Sequence, residues 1–127
     1  METKAHLNEA HAKMYEWVKE LNFYTEELTI FQNRLGEIVS KNNNKDLLAE
    51  LEHFQNQFIR HREVMDTLHH AYTQFENIIV DDVKKNSIAT NRRSIEIPAN
   101  LIDQHDTFIR IYKELKTDFE KFLTKTL

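Results

Sequence analysis

Between Leu7 and Ile38 the apolar residues recur in alternating steps of three and four: Leu7, Ala10, Met14, Trp17, Leu21, Tyr24, Leu28, Phe31, Leu35 and Ile38. No step is missed and no charged residue falls on the seam. So sustained a 3-4 alternation specifies a helix buried along one narrow stripe. Such a helix needs neighbours to cover its stripe, so the rest of the chain is expected to supply them.

Composition supports this reading. One Gly, one Pro and no Cys in 127 residues leave little material for the tight turns of an all-β fold. Hydrophobic residues at 40% and charged residues at 30% suit amphipathic helices rather than disorder. No apolar run approaches the roughly 18 residues that cross a bilayer. Met1-Glu2-Thr3-Lys4 is not followed by the apolar core of a signal peptide. No membrane partner is expected, and the absence of cysteine fits a cytoplasmic setting. Seventeen basic against 21 acidic residues give a net charge of −4, so no global field draws the chain to nucleic acid or anionic lipid.

The first helix is expected over about residues 3–40. Gly36 is its one blemish, but Ile38 and Val39 continue the pattern beyond it. Asn42-Asn43-Asn44-Lys45 reads as a turn, with Asn43 and Asp46 as a capping pair opening a second helix over 46–83. That helix carries its own stripe: Leu47, Leu51, Phe54, Phe58, His61, Met65, Leu68, Tyr72, Phe75 and Ile79. A turn this short makes the two helices antiparallel neighbours, pairing Ile38 with Leu47, Leu35 with Leu51 and Phe31 with Phe54. Val64, Ala71 and Ile78 widen the second stripe, which places this helix in the middle of the packing.

From 84 to 97 the pattern fails, and Lys84, Lys85, Arg92 and Arg93 stand in a stretch without acids up to Ser94. Arg93 to Ile97 alternates, which allows a short extended piece before Pro98. Pro98 suits the first turn of a third helix over 98–126, with the stripe Leu101, His105, Phe108, Tyr112, Leu115, Phe119 and Phe122. Three matched stripes specify one domain over 1–127, an all-α antiparallel three-helix bundle with coiled-coil-like heptad packing.

The third helix is the shortest. With the second connection centred near Asn91, Leu101 falls beside Ile79 and Phe122 reaches only Phe58. Leu35, Ile38, Val39, Leu47, Leu48 and Leu51 then form an apolar tip without a third cover. That tip is the expected protein-interaction surface, completed by a partner helix or by a second copy in a homodimer.

Seven histidines invite a metal or phosphotransfer reading. His61 and His105 lie on core stripes, about 21 Å apart along the bundle, so they cannot share an ion. Glu50-Leu51-Glu52-His53 has the Glu-x-x-His spacing of bundle di-iron sites, but the seams lack the inward carboxylates those sites need. His11 and His105, placed at one level, are the remaining metal candidates; a core histidine bonded to a neighbour, such as Tyr24 for His61, is the simpler reading. No cofactor is expected. His61-Arg62-Glu63 and His11-Ala12-Lys13 place histidine beside charge as phosphotransfer domains do, without the glycine that admits a partner. No phosphate loop, nucleophile elbow or Cys-His pair is present, and surface carboxylates such as Glu26-Glu27 read as solvated faces.

Lys84, Lys85, Arg92 and Arg93 could contact phosphate or an acidic partner. No aromatic residue lies among them to stack a base, so nucleic acid is the weaker expectation. Trp17 on a first-helix seam resembles spectrin-type repeats, a likeness of shape that implies no function. The leading expectation is a small non-enzymatic interaction module.

Overall fold

The structure is a computed structural model that describes the backbone of residues 2–85 and 96–126 and the side chains of 9–85 and 96–126. Three helices follow in order: α1 (Glu2–Lys41), α2 (Lys45–Lys85) and α3 (Ala99–Thr126). The described residues contain no strand, and none of their helices is long and apolar enough to cross a membrane. The stripe residues carry the packing. Every seam position from Ala10 onward is buried except Tyr24, Phe31 and Leu47, which are half-buried against the same core. Leu7 lies outside the described side chains.

The α1–α2 turn is closed from both sides. Asn42 donates its side-chain amide to the Ile38 carbonyl at 2.8 Å, finishing α1. Asn44 accepts the Asp46 and Leu47 amides on Oδ1 at 2.9 and 3.5 Å and is the N-cap of α2. The cap is therefore Asn44 rather than the expected Asn43. Gly36 does not end α1, and no described residue has a positive φ. Pro98 precedes α3, where its carbonyl accepts the Leu101 and Ile102 amides. Residues 86–95, which hold most of the expected connection and the alternating piece up to Ile95, lie outside the described residues; Lys84 and Lys85 belong to α2.

Side chains across α1 and α2 meet slightly out of step with the expected pairing. Trp17 meets Tyr72 at 5.6 Å between ring centroids, and Phe31 meets Phe58 at 6.1 Å. The offset has a simple cause: helical side chains lean toward their own N-terminus, and in antiparallel helices the two leans are opposed.

α1 and α3 run parallel, and their rings meet in three rungs. Trp17 stacks on His105 at 4.0 Å, Tyr24 meets Tyr112 at 4.7 Å, and Phe31 meets Phe119 at 5.2 Å. Each rung lies one heptad beyond the last on both helices. These large side chains hold the two backbones apart: no described Cα pair between α1 and α3 falls within 8 Å.

The ladder, together with the bonds of Tyr112 and Lys116 to Glu27, sets the height of α3. Phe122 meets Phe54 at 5.1 Å and Lys125 Nζ reaches Glu50 at 3.0 Å, so α3 extends further along α2 than its expected end at Phe58. The tip is consequently closed. Leu35, Ile38 and Leu51 are buried, Leu47 and Leu48 are half-buried against the core, and only Val39 of the six is exposed. Ring packing and its polar contacts, rather than the midpoint of the connection, fix this register.

Candidate functional site

The histidines separate into distinct environments. His11 is exposed, with Nδ1 3.0 Å from Glu76 Oε2. His105 is buried on the Trp17 face, with Nδ1 2.5 Å from the Tyr72 hydroxyl. Its Nε2 lies 3.9 Å from Glu20 Oε1, too long for a hydrogen bond. Burial holds the His105 pKa below the ordinary imidazole value; Asp106 opposes this and Lys13 reinforces it. Burial likewise pushes the Tyr72 phenol up, with Glu20 and Asp106 adding to it. The metal candidates His11 and His105 thus have separate partners, and no three His, Asp or Glu among the described residues converge on a metal position.

His61 is buried too, and burial followed by the Arg60 charge lowers its pKa. The expected bond to Tyr24 does not form: His61 Nδ1 is buried with no hydrogen-bond partner. Its ring instead lies 6.0 Å from the rings of Phe108 and Tyr112. At 6% exposure His61 presents little of its ring to a phosphotransfer partner.

One carboxylate read as a solvated face is structural. Glu27 is largely buried; its Oε1 accepts the Tyr112 hydroxyl at 2.8 Å, and its Oε2 accepts Lys116 Nζ at 2.9 Å. The bond to Glu27 raises the Lys116 pKa. Burial, then the bond to Glu27, pushes Tyr112 up, while burial and the Glu20 charge raise Tyr24. Glu27 sits next to Leu28 on the seam, and that flank position was the available signal. In the Glu-x-x-His segment, Glu50 pairs with Lys125 and His53 packs edge-on against Phe54.

The basic stretch is only partly described. Lys85 pairs with Asp81 at 3.1 Å, one turn earlier on α2, and Lys84 borders a small hollow with Ile78 and Val80. Arg92 and Arg93 lie outside the described residues.

Among the described residues, the seam between α2 and α3 carries an open surface. A groove of about 840 Å³ runs there, with buried Leu68, Phe108 and His61 at its base. Val64 and Ile111, 41% and 40% exposed, form its apolar walls, and Arg60, Glu63, Asp103 and Gln104 surround them. A second hollow of about 520 Å³ continues the seam toward the tip, lined by Ala49, His53, Phe54, Lys121 and Phe122 among others. Val64 was expected to touch a neighbour because it widens the α2 stripe. It remains exposed because α3 seats on the main stripe and leaves the flank open. A separate stripe on the outer face of α1, comprising Tyr15, Phe23 and Ile30, is well exposed and breaks the 3-4 pattern, so periodicity alone passes over it.

The chain matches no family model, no curated protein and no solved structure.

Proposed function

We propose that this chain is a non-enzymatic interaction module, a helical bundle that binds a protein partner through exposed apolar helix surface. The observation that carries the reading is the α2–α3 groove, where Val64 and Ile111 stay exposed above an apolar base of Leu68 and Phe108. Apolar walls with a rim of mixed charge are the usual anatomy of a helix-binding groove. The reading moves the binding surface from the closed tip to this seam. Of its titratable core groups, Tyr72, His105 and Tyr112 are engaged in packing bonds, which favours a binding role over a catalytic one.

Sedimentation equilibrium across a wide concentration range, paired with capture from lysate, tests it. The wild-type chain is expected to form a complex, with itself or with another protein. A Val64→Glu/Ile111→Glu double variant should lose that complex while keeping its helical circular dichroism and melting temperature. A monomer that captures nothing, or a folded double variant that associates as the wild type does, would overturn the reading.

A further inference from the structure

Helices packed in a bundle turn their outer faces to water, and an outer face is ordinarily polar. α1 departs from this. Tyr15, Phe23 and Ile30 are 67%, 58% and 63% exposed, and at about 100° of turn per residue they lie opposite the buried seam of the same helix. Lys19 and Glu26 stand between them on the same face. Both are exposed, and among the described residues neither takes part in an ion pair. Apolar side chains spread along roughly 22 Å of helix, with two opposite charges fixed among them, can be matched only by a surface in the right register.

The pattern of these five residues matches itself reversed. Let α1 lie antiparallel on α1 of a second copy, with the two-fold axis between Asn22 and Phe23. Tyr15 then falls opposite Ile30 of the second copy, Lys19 opposite its Glu26, and the two Phe23 rings meet near the axis. Symmetry repeats the first two pairings, so the face supplies two aromatic–aliphatic contacts and two ion pairs. Competing arrangements set like charges together. Slid by seven residues one way, Lys19 meets Lys19; slid the other way, Glu26 meets Glu26; with the helices parallel, both clashes occur.

We infer that the outer face of α1 is a two-fold interface with a second copy of this chain, in which α1 pairs antiparallel with α1 and Lys19 bonds Glu26 across the axis. This face lies on the opposite side of the bundle from the α2–α3 groove, so the dimer leaves both grooves open to a different protein.

Sedimentation equilibrium on the full chain tests it. The wild type is expected to dimerise reversibly at concentrations below about 1 mM. Lys19→Glu and Glu26→Lys each place like charges opposite one another twice, and each should weaken the dimer roughly tenfold or more. Mixed in equal amounts, the two single variants complement each other, so association should return to about the wild-type affinity. The Lys19→Glu/Glu26→Lys double variant should recover it with itself. Both positions are exposed, so helical circular dichroism and melting temperature should hold throughout. A wild type that stays monomeric to about 1 mM, single reversals that leave the dimer unchanged, or a mixture that recovers nothing would each overturn the inference. The groove reading is decided separately. Val64→Glu/Ile111→Glu should leave this dimer in place and abolish capture of another protein, so either reading can fail without the other.

Discussion

Two histidines of equal burial make opposite demands on the bundle. His105 holds the Tyr72 hydroxyl, so His105→Leu strands a phenol in the core. His61 leaves its own Nδ1 unfilled, so His61→Leu removes a penalty and adds apolar packing. Urea denaturation of both variants is therefore expected to diverge in sign. His105→Leu should lose about 1–3 kcal/mol, and His61→Leu should gain on the order of 1 kcal/mol. Equal destabilisation by the two would contradict the assignment of partners. The sequence marked both residues as core because both fall on the seam. It could not mark which one is bonded, because a hydrogen bond depends on rotation and height across helices. Glu27 shows the same limit, since its role follows from Tyr112 and Lys116, which stand 85 and 89 residues away.

At the scale of the helices, the seams predicted the buried set closely, because a single 3-4 pattern admits one inward face. The ends and heights were less legible. A run of three asparagines offers three candidate caps, and the choice of Asn44 follows from which carbonyl and amide groups the turn leaves open. Asn44→Ala should accordingly cost about 1 kcal/mol. Gly36 lies mid-helix with no heavy atom within 4 Å of an added Cβ. Gly36→Ala should stabilise by about 0.5–1 kcal/mol, because the methyl has space and the unfolded chain loses freedom. Thermal melts of both single variants check the pair, and a destabilised Gly36→Ala would mean that α1 does not run straight through this position. The height of α3 was misplaced for a different reason. A connection constrains where a helix can start, whereas ring packing and the hydrogen bonds that go with it decide where it stops.

For the molecule as a whole, the buried histidines set the response to acid. Burial lowers the pKa of His61, with Arg60 assisting; it lowers that of His105 too, with Lys13 assisting and Asp106 opposing. The unfolded chain takes up protons at these residues near pH 6.5, and the folded chain resists until lower pH. Their contribution to stability is therefore complete above the unfolded value and declines as pH falls below it toward the folded values. Denaturation midpoints should drop between about pH 7 and pH 5, and the drop should be shallower in the His61→Leu and His105→Leu variants. A midpoint flat across that window would show that neither ring stays neutral by burial.

The three rungs between α1 and α3 repeat at the heptad interval, at residues 17, 24 and 31 on one helix and 105, 112 and 119 on the other. A ruler with evenly spaced marks reads the same after sliding by one division. Moved one heptad, α3 would set His105 against Tyr24 and Tyr112 against Phe31, still ring on ring. What such a slide breaks is polar: the Tyr72 bond to His105 and the grip of Tyr112 and Lys116 on Glu27. The aromatic ladder holds the helices together at any whole division, and a few hydrogen bonds number the scale.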